Sequence, residues 1–297
     1  MPFPKTIQLF LMDGEPTGRI ACEMHNWTGK AYKIPRIRLK ECKARAELNN
    51  PGLYILFGST EAGEPAAYIG EAEDVLYRLN QHLGSKEFWN EVIVFVSKDD
   101  YLNKAHIKYL ENHLHNIGIR LNRYVLYNGN VPNRPTLSES DQAVMDEFIY
   151  HIRLLTTTLG HKIFEEKRAE QLAPHQPTSV QPEKTPLVEE TIFHLSSNRG
   201  AEARGKPTAE GFVVLKGSKF VMDTSKSFAH YYLKTRKKLI EEKKLIPENR
   251  SLVLVEDHVL PSPSYAASLI LGRSANGLTE WKLTDGTTLK AYEQGEQ

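Results

Sequence analysis

An α+β protein of two domains is what this sequence predicts, and three observations carry it. Short apolar, β-branched runs are interspersed with stretches whose apolar residues recur at helical spacing. A proline-containing segment poor in apolar residues divides the chain at residues 167–190. The 297 residues, 40% hydrophobic and 25% charged, suffice for two hydrophobic cores.

Taken in order, KTIQLFLM and RIACEMHNW flank the turn chemistry of DGEPTG and read as a β-hairpin, an N-terminal extension over residues 1–48. The first domain proper is expected over residues 49–166. There GLYILF and AAYIG form two strands joined by the loop GSTEAGEP, and the run from residue 73 to 83 follows as a helix with Val75, Leu76, Leu79 and Leu83 inward. EVIVFVS supplies another strand, and residues 103–117 read as a helix burying Ile107, Leu110, Leu114 and Ile117. A last helix starts at a capping-box-like Ser138 with Asp141 three residues on, buries Val144, Phe148, Ile152, Leu155 and Leu159, and stops at Gly160. Residues 167–190 hold four of the 16 prolines and read as a linker. In residues 191–297, TIFHLSS, GFVVLKG and SLVLVED read as strands and SFAHYYLKTRKKLIEEKKL as a basic helix. SPSYAASLILG reads as a helix with Ser262 as N-cap, Pro263 in its first turn and Gly272 past its end, completing a smaller, separate α+β domain.

Several function classes recede on composition alone. No run approaches the roughly 18 to 20 apolar residues of a membrane span, and the start lacks a signal peptide's apolar core; a cytoplasmic location without membrane contact is the expectation. Cys22 and Cys42 lack CxxC spacing, so reduced structural thiols are expected. The net charge of +1 makes any polyanion binding a matter of local patches.

The chemistry gathers around GLY, YIG and the helix after them. At 100° per residue Glu71, Arg78 and His82 fall within about 40° of one another, on a stripe flanking the apolar face. Lys104 and Glu111 share a comparable stripe on the next helix. Two strand tyrosines, an arginine, a histidine and a carboxylate are parts suited to phosphodiester hydrolysis: arginine clamps a non-bridging oxygen, a carboxylate holds a hard divalent cation, and a tyrosine acts as base where cations favour its phenolate.

The order Gly52-Leu53-Tyr54, Tyr68-Ile69-Gly70, Arg78, His82, Glu111 and Asn128 resembles the GIY-YIG nuclease family. IQLFLMDGEPTGR, YIGEAEDVLYRLNQH, KAHIKYLE and YNGNVPNRP extend the likeness over most of residues 6 to 165, toward a bacterial stand-alone type. The resemblance implies a small antiparallel sheet flanked by helices, here extended by the N-terminal hairpin, that cuts DNA with one Mg²⁺ or Mn²⁺ ion. It further implies that Tyr54 and Tyr68 line the centre, one of them as general base. Arg78 would stabilise charge on the phosphate and His82 assist it, Glu111 would bind the metal, and Asn128 would fix the far side of the substrate pocket; Lys104, from its place on the helical stripe, is a further candidate substrate contact. Leu53 departs from the isoleucine of the family's name, and the interval between the two tyrosines is long. The C-terminal stretches resemble an uncharacterised domain that often follows this nuclease type.

Two other readings stand beside DNA cleavage: a nucleic-acid-binding or regulatory module without hydrolysis, and a nuclease acting on RNA. On the basic helix Lys234, Arg236 and Lys237 are candidate nucleic-acid contacts, against the alternative of a solvated face paired with Glu241 and Glu242. Restriction, phage defence and repair are the settings such a nuclease would suit.

Overall fold

The computed structural model of the chain describes residues 4–166, 191–208, 211–225, 228–248 and 250–295, and is a mixed α+β structure with two multi-stranded sheets. The linker expected at 167–190 lies outside the described residues. Among the described residues no helix is long and apolar enough to cross a membrane.

The first half runs β1 (Ile7–Leu11), β2 (Ile20–Met24), β3 (Gly29–Pro35), β4 (Gly52–Ser59), β5 (Pro65–Ala72), α1 (Val75–Leu83), β6 (Trp89–Ser97), α2 (Lys104–Leu121), β7 (Val125–Leu126) and α3 (Glu139–Thr158). Its sheet has seven strands in the order β1-β2-β3-β6-β4-β5-β7, antiparallel throughout except for the short parallel pair β5–β7. The N-terminal hairpin β1–β2 extends this sheet, joined through β3 to β6.

Strand β4 sits inside this sheet with both faces covered, which is why GLYILF reads as an unbroken apolar run. Leu53, Ile55 and Phe57 pack toward α2 and α3 with Ile107, Leu110, Leu114, Phe148 and Ile152. Tyr54 and Leu56 face the other way, toward Val75, Leu76, Leu79 and Leu83 of α1. Asp74 caps α1 by accepting from the Tyr77 amide at 2.8 Å, so the helix starts at Val75, two residues later than expected, and Glu71 belongs to β5 rather than to the helical stripe. Asn103 caps α2 and Ser138 caps α3 in the same manner. On α3 the buried stripe includes Met145 and Ile149, while Val144, expected inward, is exposed.

The second half contains β8 (Phe193–Ser196), β9 (Glu202–Thr208), β10 (Gly211–Val214), β11 (Lys219–Val221), α4 (His230–Glu241), β12 (Leu245–Glu248), β13 (Ser251–Leu254), β14 (His258–Leu260), α5 (Pro263–Leu271), α6 (Gly277–Glu280) and α7 (Leu289–Gln294). Its antiparallel sheet runs β12-β13-β11-β9-β10-β14, with β8 also paired to β9. Helix α5 covers it with Ala266, Ala267, Leu269 and Ile270 fully enclosed. The ends of α5 are as the sequence implies: Ser262 accepts from the Tyr265 amide, and Gly272 takes the left-handed conformation at φ 63°.

Both motif glycines of the first sheet are required by packing. A Cβ at Gly52 would stand 2.6 Å from the Phe95 carbonyl oxygen. Gly70 lies directly across from Tyr54, and a side chain there would overlap the Tyr54 ring and hydroxyl. Gly70→Ala is expected to cost about 1–3 kcal/mol by overpacking. Gly129→Ala, where nothing stands within 4 Å of a new Cβ, is expected to stay within about 0.5 kcal/mol. Urea unfolding of the two variants measures the contrast, and equal stabilities would refute this account of Gly70.

Candidate active site

The tyrosines of the two motifs meet on the α1 side of the sheet. Tyr54 on β4 is fully buried and Tyr68 on β5 is half-buried; their rings stack at 29° with centroids 6.3 Å apart. Helix α1 brings His82 against both: its Nε2 lies 2.8 Å from the Tyr54 hydroxyl, and its ring meets that of Tyr68 edge-on at 5.4 Å. Arg78, one turn earlier, interacts with both phenol oxygens and accepts a brace from the helix itself, donating to Gln81 at 2.8 Å. A guanidinium can only donate, so toward the two phenols Arg78 acts as a positive charge and donor.

Burial sets the protonation states. It pushes the Tyr54 phenol well above the ordinary tyrosine range, with the Tyr68 oxygen adding to the effect and Arg78 opposing it. It also pushes His82 down to about 3, assisted by the positive charges of Arg78, Lys86 and Arg36, so the imidazole is neutral near pH 7. Tyr54 and His82 thus form a neutral, hydrogen-bonded pair, and the more open Tyr68 is the phenol that solvent can reach.

The carboxylates come from the opposite face. Glu71 on β5 takes the Lys104 ammonium at 3.1 Å, and Lys104 also pairs with Glu73 at 3.4 Å. Glu111 of α2 is half-buried, and desolvation together with the nearby Glu71 charge pushes its carboxyl up to about 7, against the pull of Lys104, Lys108 and Arg78. It lies within electrostatic reach of Tyr54 as well, so the site spans the edge of β5 and draws on both layers.

That edge is open because β7 pairs only with Ala66 and Ala67. The side chain of Asn128 continues it: Oδ1 accepts from the Ile69 amide at 3.1 Å and Nδ2 donates to the Ile69 carbonyl at 2.7 Å. Asn128 therefore stands in for a strand residue and fixes the backbone between Tyr68 and Gly70. Lys104 is engaged with the two glutamates rather than free toward a ligand.

Sequence reasoning missed Lys86, whose ammonium lies 4.3 Å from the centre of the Tyr68 ring. It follows the end of α1, where helical phase no longer predicts direction. The basic helix α4 departs from expectation at Arg236, which is buried, donates to the Val221 carbonyl and is lowered to about 10 by desolvation. Lys234 and Lys237 stay exposed, Lys237 3.8 Å from Glu241.

Among the described residues no group of three or more His, Cys, Asp or Glu side chains is placed to hold a metal. The oxygen donors of Glu111 and Glu71 are of the type a hard divalent cation takes, since Mg²⁺ is commonly held by one or two carboxylates with water and phosphate oxygens.

Compared with known families, residues 193–293 match a domain of unknown function (DUF4357), a stretch from the first strand of the second sheet to Glu293 on α7. No curated protein and no solved structure matches the chain.

Two outcomes follow from the charge states. The His82 ring should not titrate between pH 8 and 5 in a nitrogen-detected NMR titration; a midpoint near 6.5 would contradict the buried neutral pair. For Glu111 the folded-state value lies above the ordinary 4.5, so the folded chain binds the extra proton between those values and stability falls as pH rises through 7. In chelator, Glu111→Gln should therefore stabilise the protein at pH 8, on the order of 1–2 kcal/mol after allowance for solvent access, with the gain shrinking toward pH 5. Thermal unfolding at the two pH values checks it.

Proposed function

We propose that this chain is a metal-dependent endonuclease of GIY-YIG type that hydrolyses DNA phosphodiester bonds. The observation that carries the reading is the convergence, from three separate elements, of Arg78 onto two stacked tyrosines with a neutral histidine bonded to the buried one. A guanidinium beside two phenols and a neutral imidazole supplies the parts that phosphodiester hydrolysis uses.

In this reading Arg78 binds a non-bridging phosphate oxygen and stabilises the charge that develops there. Tyr68 orients the attacking water and takes its proton; a tyrosine does so only as a phenolate beside cations, and Arg78 and Lys86 are the cations beside it. His82 and Tyr54 hold the floor and keep Arg78 directed outward. Glu111, with Glu71 facing it, would hold Mg²⁺ or Mn²⁺, which when bound supplies positive charge for the phosphate and the leaving 3′ oxygen. Lys234 and Lys237 are the cations through which α4 would contact the nucleic-acid backbone.

The test is incubation of the purified chain with supercoiled plasmid, single- and double-stranded DNA and RNA, with Mg²⁺ and with chelator. Metal-dependent nicking of DNA is expected, and Arg78→Ala and Glu111→Ala should each lower it by about a hundredfold or more with circular dichroism unchanged. DNA bound but left intact under all conditions would make the chain a binding module, and preferential loss of RNA would make it a ribonuclease.

A further inference from the structure

Arg36 leaves β3 and is enclosed where the two halves of the chain meet. Its Nη1 donates to the Lys86 carbonyl at 2.6 Å and its Nη2 to the Leu83 carbonyl at 2.8 Å. Nη2 and Nε also reach Glu293 on α7, at 2.7 and 3.1 Å. The guanidinium lies 4.7 Å from the centre of the Trp89 ring, and both members of the ion pair are buried.

The Leu83 carbonyl is one of the groups that the last turn of α1 leaves without a partner of its own, and the Lys86 carbonyl belongs to the segment that follows. Arg36 is thus the C-terminal cap of α1, supplied from another strand, and a cation suits that end of the helix dipole. The planar fork can face both carbonyls only while something fixes its orientation, and the bidentate Glu293 carboxylate does so. The rest of α7 seats against the same turn: Gly84 has no side chain where Gln294 lies, and Lys40 donates to the Tyr292 carbonyl. From α5, Ser264 donates to Glu87. His82 immediately precedes Leu83, and Arg78 is one turn back.

We propose that Glu293 is a positioning residue: through Arg36 the C-terminal half holds the end of α1 and thereby sets His82 against Tyr54. This gives the domain of unknown function a task in this chain, which is to complete the helix that carries Arg78 and His82. Its activity arm rests on the nuclease reading; its structural arm does not.

Glu293→Gln keeps the shape of the carboxylate and removes its charge. A buried guanidinium that loses its bidentate carboxylate turns toward Glu87 or water, the Leu83 and Lys86 carbonyls lose their donors, and His82 is released from Tyr54. Arg36→Lys keeps the charge opposite Glu293 but cannot serve both carbonyls. Val214→Ala, in the second core, is the control for a general loss of stability.

The His82 ring nitrogens in the full-length chain are followed by NMR at pH 7, with cleavage of plasmid DNA alongside. Glu293→Gln and Arg36→Lys are each expected to shift the His82 signal toward that of a free imidazole and to lower kcat about tenfold or more, with KM changed less than about twofold. Val214→Ala is expected to lower the melting temperature and leave both readouts as in the wild type. A wild-type His82 signal in either folded Arg36 or Glu293 variant overturns the proposal, whatever its melting temperature. Should the wild-type chain cut nothing, the nuclease reading fails and the His82 signal alone decides this one.

Discussion

The room that Gly70 leaves above β5 decides where everything at the candidate site stands. Tyr54 projects from an inner strand, and its ring can lie across the neighbouring strand only because the residue directly opposite has no side chain. That placement carries the hydroxyl to His82 and leaves Tyr68 in the next same-face position, close enough for the rings to stack. The sheet in turn is fixed by burial on both sides, since a slip of one residue in β4 would exchange Tyr54 and Leu56 with Leu53 and Ile55. One small residue thus turns a register chosen by hydrophobic packing into a geometry with chemical content.

Around that geometry the charges are poorly balanced. His82 is kept neutral by burial among Arg78, Lys86 and Arg36, while Glu111 is kept near half-protonation by burial beside Glu71. Lys104 pairs with Glu71 and Glu73 on the α2 face, yet Glu111 there and His82 on the α1 face remain titratable groups held away from their ordinary range. A structure optimised for stability alone would pair them or replace them with apolar groups. In the nuclease reading proposed above, such groups are retained for a phosphate on one side and a cation on the other.

Much of this was legible in the sequence where burial imposes a simple pattern. Strands β4, β5 and β6 are apolar on both faces and could be read as runs, and α2, α3 and α5 announced themselves by period and caps. Strand β3 escaped notice because GKAYKIP carries two lysines. Lys30 is accommodated by Glu23 and Glu47, at 3.2 and 3.3 Å, and Lys33 by Glu91 at 3.0 Å; such compensation is tertiary and leaves no local trace. Glu71 was drawn onto the helix because apolar periodicity does not register a cap at Asp74. The burial of Arg236 follows from the helical stripe it shares with Tyr232 and Leu239, a phase that counting basic residues overlooks. The bidentate grip of Asn128 on Ile69 could not be seen at all, since nothing in a sequence says which strand edge remains unpaired.

The Arg36–Glu293 pair poses the same question at the junction of the halves. Buried ion pairs gain little over well-packed apolar groups, because desolvation consumes most of the attraction. An apolar pair at this junction would bury comparable surface, yet it would leave the Leu83 and Lys86 carbonyls enclosed without donors, at a cost of about 1–3 kcal/mol each. A guanidinium supplies those donors, and once it is buried a carboxylate must accompany it. The need to finish α1 at a point without solvent therefore accounts for both charges, and it ties the last helix of the second half to the helix that presents Arg78 and His82.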